Sequence, residues 1–544
     1  MQRKKLTLVI VSLLVVVLSV SLAYFTAQII GKGKTVDVSS ANLQIVFTDS
    51  DGALTETDIE PGWSATKTFT IKNDTKTEYK YNIVIKDLLN TFVTEGYLQY
   101  KITSTNDGYN MTEFKDIPKS SIATDTILAY SVVIPNGVTQ SYTIEFKYAN
   151  DESVDQSDDM GRKLSGTLFI TEGTEDQNKT LLTQLLADKS TVLTRTDFST
   201  VLTTDNTNTL YTSTEDSKTV YYFAGNATDN WVKFGKYQND LIRYRGYYST
   251  TSTSYKEYST MDECTSASSY NVNCTEYKYA NTGDDIYWRI IRTNSDGGVR
   301  LLYHGTSTTA TDAVINTSTA FNTIYNNPMY VGYMYGTSGS LVNNRTNANN
   351  STIKTTIDNW YKDNLNTNYG KYISTTAVYC NDRSVTNGTY STSSSFDYAA
   401  YTRLVDNKTP SYDCSVTEDK FTVDTSTGNG KLTYPIALMT ADEVSFAGGL
   451  WNKNAPTWYY YNSAKGSSTG STWWWLLSPY DWRGSYARVF SVYGSSSPGY
   501  LYDDYVYNAS GVRPAISLKF CTLYSTGNGS ASDPYTIKET TSGC

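Results

Sequence analysis

From about Thr35 to Thr174 the hydrophobic positions recur every second residue. Leu43, Ile45 and Phe47 alternate with polar neighbours, as do Tyr79, Tyr81, Ile83 and Ile85, then Tyr142, Ile144, Phe146 and Tyr148; the run from Leu164 to Ile170 closes the set. A period of two places alternate side chains on one face of an extended chain, so each run predicts a half-buried β-strand. Pro61-Gly62, Lys72-Asn73-Asp74 and Pro135-Asn136-Gly137 supply turns between them. Short alternating strands separated by such turns predict an all-β sandwich over residues 35–174. Residues 175–218 change character: Leu181, Leu182, Leu185 and Leu186 predict a short amphipathic helix, and the Thr/Ser/Asp/Asn-rich stretch after it reads as a linker.

The remainder, 219–544, mixes strand and helix signals. Ile286 to Arg292, the turn Asn294-Ser295-Asp296-Gly297-Gly298 and Val299 to Tyr303 predict a β-hairpin. Ser351 or Thr352 caps a predicted helix whose apolar face is Ile353, Ile357, Trp360, Tyr361 and Leu365. A second helix starts at the capping box Thr440-Ala441-Asp442-Glu443 and stops at Gly448-Gly449. Val512 to Leu518 reads as a closing strand. Many strands with two clear helices predict an α+β domain with long irregular loops.

The first residues carry a different pattern. Arg3, Lys4 and Lys5 precede Leu6 to Phe25, an uncharged run of 20 residues. Such a run is long enough to span a bilayer, and its positive flank would stay inside. Residues 1–34 are therefore expected to export the chain. Their length favours an uncleaved signal anchor, while Ser21-Leu22-Ala23 offers a cleavage site, so both fates stand. The expected location is extracellular, at the cell surface, whether membrane-anchored or secreted.

Composition narrows the chemistry. A length of 544 residues exceeds one compact core. A net charge of −9 argues against nucleic-acid binding, which needs a basic patch. The single histidine, His304, excludes a His-cluster metal site and reads as a structural residue at a strand end. All 6 cysteines (Cys264, Cys274, Cys380, Cys414, Cys521 and Cys544) fall after residue 218, and none has metal-ligand spacing. In an exported chain they predict disulfides, and sequential pairing closes the shortest loops. No spacing among the 54 acidic residues singles out a catalytic pair. No enzyme activity, cofactor or metal is expected.

One window stands out. Between Trp473-Trp474-Trp475-Leu476-Leu477-Ser478-Pro479 and Gly511-Val512-Arg513-Pro514-Ala515-Ile516-Ser517-Leu518 lie 31 residues, of which 7 are Tyr, 6 Ser, 3 Gly, 3 Asp and 1 Asn. Antibody paratopes use this mixture: Tyr gives stiff amphipathic area, while Ser, Gly and Asn give adaptable polar contacts. The expected ligand-binding residues are Tyr480, Asp481, Trp482, Arg483, Ser485, Tyr486, Arg488, Tyr493, Ser495, Ser496, Tyr500, Tyr502, Asp503, Asp504, Tyr505, Tyr507 and Asn508. Ala487, Val489, Val492, Leu501 and Val506 would point inward as anchors. Asp481, Asp503 and Asp504 are types that bind calcium, although exposed acids more often only solvate a surface. The sequence does not name the ligand, which is a protein or a glycan.

Two resemblances add to this reading. Ala23 to Thr26, Ala41-Asn42-Leu43-Gln44-Ile45, Pro61-Gly62-Trp63 and Lys67-Thr68-Phe69-Thr70-Ile71-Lys72-Asn73 resemble the TasA/camelysin family of bacterial biofilm-fibre proteins. That resemblance covers about the first third and implies a jelly-roll-like module assembling by strand exchange. Tyr287 to Arg292, Leu438 to Gly449, Trp474 to Pro479 and Gly511 to Ala515 resemble C-type-lectin-fold domains related to formylglycine-generating enzymes. The likeness is strongest to the surface and variable proteins of diversity-generating retroelements, in which the residues between such brackets are diversified to bind ligand. Mutating adenines in Asn-type codons yields Tyr, Asp, Ser, Gly and Asn, the set dominating 480–510. That family often has Arg where Leu477 stands, so a framework polar contact is in doubt. The chain thus reads as an exported adhesin or receptor-binding protein, with a structural fibre or biofilm-matrix protein as the alternative.

Overall fold

A computed structural model describes the chain from Pro61 onward except residues 75–76, 160–161, 174–178, 311–312, 456–472, 495–496, 498 and 542; before Pro61 it gives the course of three strands. The expected export segment, 1–34, lies outside the described residues. Among those described, no helix is long and apolar enough to cross a membrane. The chain divides into Met1–Gln177 and Asn178–Cys544.

The first unit is built on strands, as its period of two predicts, with a short 3-10 turn at Ser157–Asp159. Its strands are β1 (Thr35–Ser40), β2 (Leu43–Asp49), β3 (Leu54–Glu56), β4 (Ser64–Asn73), β5 (Tyr79–Asn90), β6 (Leu98–Ser104), β7 (Lys115–Asp116), β8 (Ser120–Ile134), β9 (Thr139–Tyr148) and β10 (Leu164–Glu172). They form one sheet in the order β1-β2-β4-β9-β6-β7 and another in the order β3-β10-β5-β8. Phe69, Ile71, Ile102, Ile144 and Phe146 from the first sheet share a core with Ile83, Ile85, Leu164, Leu168 and Ile170 from the second. Two sheets burying alternate residues against each other form a sandwich. The turn at Pro135-Asn136-Gly137 places Gly137 at φ +72°, and the Gly137 N–H donates to Asn73 O at 2.9 Å.

The second unit begins earlier than the sequence suggests. The predicted helix forms as α1 (Leu181–Asp188), capped by the Thr180 hydroxyl, and its Leu181 and Leu185 lie in the unit's main core. The stretch read as a linker up to residue 218 instead contains β11 (Thr191–Thr194) and β12 (Thr209–Glu215), with β13 (Lys218–Tyr222) following. Residues 195–208 between these strands form no helix or strand, as the Thr/Ser/Asp/Asn composition implies, but the Thr residues of β11 and β12 lie on pleated strands, a conformation that β-branched Thr also favours.

Next come β14 (Trp231–Lys236), β15 (Leu241–Tyr247), β16 (Tyr255–Tyr258), β17 (Val272–Ala280), β18 (Asp285–Thr293), β19 (Val299–Gly305) and β20 (Asn316–Ala320). The predicted hairpin is β18–β19, closed by Asn294 N–H to Gly298 O at 2.8 Å. Both predicted helices form. In α2 (Thr352–Asn364) Ser351 is the cap, and Ile353, Ile357, Trp360 and Tyr361 are buried together with Leu365 just beyond the helix. In α3 (Ala441–Phe446) the capping box is complete.

The remaining strands used below are β21 (Ile436–Leu438), β22 (Trp474–Trp482), β23 (Ala487–Val492), β24 (Leu501–Tyr505), β25 (Ala509–Val512), β26 (Pro514–Leu518) and β27 (Tyr535–Thr536). One sheet runs β11-β12-β13-β18-β19-β26-β21, with β14 beside β18 and β27 beside β14. Another joins β20, β25, β22 and the short strand Phe396–Tyr398, and carries β23 and β24. The expected closing strand is therefore two strands in two sheets. The chain changes sheet at Arg513, whose buried guanidinium lies 4.8 Å from the Trp474 ring and donates to Tyr303 O at 3.3 Å. The disulfides are Cys264–Cys274, Cys380–Cys414 and Cys521–Cys544, the sequential pairing.

Candidate functional site

The tyrosine-rich window folds as strands β22, β23 and β24, with β23 in the middle and antiparallel to both neighbours. Ala487, Val489, Val492, Leu501 and Val506 are each 0% exposed, so the anchors point inward as their spacing implied. Trp474 to Trp482 are buried throughout. Leu477, where the resembled family often has Arg, keeps polar contacts through its backbone. Its N–H donates to Met439 O at 2.9 Å, and its carbonyl accepts from Asn381 Nδ2 at 2.8 Å.

Several expected contact residues do not reach the surface. Tyr480, Asp481 and Trp482 are buried because β22 is covered on both faces, and Asp503 and Asp504 are buried within β24. Exposed acids solvating a surface are thus not what these carboxylates are. Among the described residues no group of three or more His, Cys, Asp or Glu is placed to hold a metal ion. Ser495 and Ser496 lie outside the described residues. Arg483, Ser485, Tyr486, Tyr505 and Tyr507 are exposed, while Arg488, Tyr493, Tyr500, Tyr502 and Asn508 are half-buried.

The buried acids surround one arginine. Arg488 Nε donates to Asp481 Oδ1 at 2.7 Å and Arg488 Nη1 to Asp503 Oδ2 at 2.7 Å. Arg483 reaches Asp481 at 2.6 Å and Asp397 at 3.0 Å. Burial pushes the Asp503 carboxyl up to about 6, against the pull of Arg488 and with repulsion from Asp481 and Asp504. Burial also raises Asp481 and Asp504. The network holds β22, β23 and β24 in register beneath the surface.

Above it the tyrosines form two groups. Tyr486, Tyr505 and Tyr507 are 38–40% exposed, and Tyr325 joins them at 38%. Tyr325 stacks on Tyr486 at 5.5 Å and lies 4.5 Å from Tyr507; Tyr505 stacks on Tyr507 at 5.7 Å. The second group is Trp451, Trp473, Tyr493, Tyr500 and Tyr502. Trp473 stacks on Tyr493 at 3.6 Å and Trp451 on Tyr502 at 5.8 Å. Composition within the window did not point to Tyr325 or Trp451, because backbone bonds bring them in from elsewhere. The Ala487 N–H donates to Tyr325 O at 3.0 Å, and Asn452 N–H to Leu501 O at 3.0 Å.

A second polar constellation lies deeper. Glu443 Oε1 accepts from Arg292 Nε at 2.9 Å and Arg300 Nη1 at 2.7 Å, while Glu443 Oε2 accepts the Thr440 N–H at 2.9 Å. Arg292 also donates to Glu215 at 2.7 Å. Burial opposes ionisation of Glu443, but the two arginines outweigh it and hold its carboxyl low. The capping box was legible in the sequence; the arginines it serves were not. His304 is buried edge-on against Trp231 at 4.5 Å.

No family model matches the chain, and no curated protein does. Among solved structures, a Paenibacillus xanthan lyase shares 10% identity over 52% of this chain and 25% of its own, with a TM-score of 0.14. A chaperone–tip adhesin complex of CFA/I fimbriae biogenesis shares 11% over 43% of this chain and 86% of its own, with a TM-score of 0.08. This chain spans a quarter of the lyase's length. At such scores the likenesses carry no argument about fold or activity.

Proposed function

We propose that this chain is an exported cell-surface binding protein whose ligand meets the half-exposed tyrosines of the β22–β24 region. The observation carrying this reading is the Tyr325, Tyr486, Tyr505 and Tyr507 group, stacked ring on ring above strands whose inner residues are fully buried. Rings held by one another and by a rigid sheet lose little freedom on binding, which is the advantage of a preorganised surface. Three disulfides suit an oxidising, extracellular setting. The C-type-lectin-like fold, and diversification of 480–510, belong to this proposal. A neighbouring reverse-transcriptase gene with a near-copy of these codons, differing only at adenines, is the observation that would establish diversification.

Replacing Tyr486, Tyr505 and Tyr507 together by Ala tests the surface. Adhesion of the purified chain to cells and to protein and glycan arrays should be lost while melting changes little; undiminished adhesion removes the reading. The fibre alternative has one observation behind it. β8 is an edge strand, and Ser121 to Asp125 along it are exposed, with Ile122 at 73%. Open edges recruit further strands, so on that reading the 35–174 segment alone polymerises.

A further inference from the structure

Lys189 follows the last residue of α1, and its side chain turns into the core, where it is 1% exposed. Its Nζ lies 2.6 Å from Asp229 Oδ2 and donates to Asp229 O at 2.9 Å. Asp229 stands just before β14, with its side chain 7% exposed. The buried rings of Phe223 and Tyr535 flank the amine at 5.5 and 5.7 Å. The two carboxyl oxygens are unequal. Oδ2 also accepts the Asn208 N–H at 2.7 Å, while Oδ1 is buried and accepts nothing among the described residues.

We propose that Lys189 and Asp229 join through an amide between Nζ and Cγ, a covalent cross-link inside the second unit. The ammonium passes a proton to the carboxylate along their contact, and the neutral amine attacks Cγ. The C–N bond forms and the Cγ–Oδ1 bond breaks. Oδ1 leaves as water with the two protons that Nζ gives up, and Nζ keeps its third. Oδ2 remains as the amide oxygen, where the Asn208 N–H is placed to stabilise the charge that builds during attack. Holding amine and acid in contact replaces a collision between separate molecules, which is the main obstacle to condensation. The product is neutral, so two charges no longer sit buried without water, and the bare oxygen is gone. The buried pair Lys354 and Asp358, at 2.5 Å, lacks this arrangement. Among the described residues no N–H donates to the Asp358 carboxyl except that of Lys354.

The cross-link spans 40 positions and closes a loop around β11, β12 and β13. Tension entering the unit at α1 then passes from Lys189 to Asp229 and into β14, without loading the bypassed strands. None of the three disulfides spans this stretch. A chain held at a surface and pulled through its ligand gains from such a bypass. The bond itself does not depend on what the tyrosine surface binds.

Denaturation separates an ion pair and leaves an amide intact, so peptide mapping by tandem mass spectrometry is the test. The full chain is folded, then reduced, unfolded and digested with trypsin. The expected product is one branched peptide joining Lys189 to Asp229, lighter by one water than its two parts together, with no cut after Lys189. Lys189→Arg, which keeps the positive charge, should yield only linear peptides. The wild-type map needs no variant, so it decides the matter even if Lys189→Arg misfolds. Three results overturn the cross-link: linear peptides alone from the folded wild type, a water lost at Lys354 and Asp358 instead, or the same branched mass persisting in Lys189→Arg.

Discussion

Two arginine–carboxylate networks in the second unit use the same groups and arrive at opposite electrostatic balances. Around Glu443, two buried arginines converge on one oxygen, and the carboxyl is held low although its burial is complete. Around Arg488, the half-buried guanidinium serves Asp481 and Asp503 and the more exposed Arg483 is shared between Asp481 and Asp397, with Asp504 nearby, and burial raises Asp481, Asp503 and Asp504. The first network, with Arg292 also paired to Glu215, matches two cations to two carboxylates and fixes the framework. The second is short of cations and lies directly beneath the tyrosines. Burial alone does not decide the charge of an acid; the number of cations pointed at it does.

Removing the central group of each network should separate them. Glu443→Ala leaves Arg292 and Arg300 buried and also removes the N–H acceptor at Thr440. Because guanidinium does not deprotonate, the loss should be roughly 3–5 kcal/mol and level from about pH 5 upward, where Glu443 is ionised, and it should shrink only in stronger acid as the wild-type carboxyl protonates, measured by urea unfolding with disulfides intact. A loss under about 1 kcal/mol would mean water already reaches the arginines. Arg488→Met should cost less, on the order of 2 kcal/mol at pH 7, because the stranded carboxylates have another escape: they protonate. Its cost should shrink as the pH is lowered to 5. A pH-independent cost would contradict the cation-short picture.

That contrast also marks what the sequence could disclose. Period-two runs and turn residues were enough for the first unit's strands, and 3.6-residue spacing with Ser351 and Thr440 was enough for α2 and α3. These are local signals, set by which side chains share a face. In the 175–218 stretch the helix was legible, but β11 and β12 were not, because Thr-rich composition serves loops and strands alike. The burial of Asp481, Asp503 and Asp504 had no local signal at all. It depends on Arg488 lying across the hairpin and on Tyr401 and Phe490 packing edge-on against Tyr480 at 4.9 Å each. Tyr325, more than 150 positions upstream of Tyr486, reaches the surface only through long-range backbone pairing.

Within the Arg488 network, Asp503→Asn isolates one titration. The folded-state value near 6 lies above the ordinary carboxylate value of about 3.9, so the protonated form is the one the fold prefers. The stability this group contributes is fully present below about pH 4 and is lost as pH rises through 6. Asn imitates the protonated acid. The variant should therefore gain on the wild type between pH 4 and pH 7.5, by up to about 2 kcal/mol. A variant that instead loses ground as pH rises would mean that Arg488 holds Asp503 ionised, as the arginines hold Glu443.

The smallest effect belongs to the tyrosines. Tyr507 is 40% exposed, and its ring contacts among the described residues are other half-exposed rings: Tyr325 at 4.5 Å, Tyr505 at 5.7 Å and Tyr486 at 6.4 Å. An aromatic pair adds about 0.5–1.5 kcal/mol beyond burial, and a half-exposed ring has lost only part of its water. Tyr507→Ala should therefore cost below about 1 kcal/mol, with no change in that cost between pH 4 and pH 8. The flat pH profile matters more than the size. If the cost rose with pH as the carboxylates ionise, the ring would be shielding the Arg488 network, and the tyrosine surface would be framework of the same kind as Glu443 and its arginines. A small, flat cost leaves Tyr507 standing on the network without holding it together, which is the physical condition for a residue that is replaceable without loss of fold.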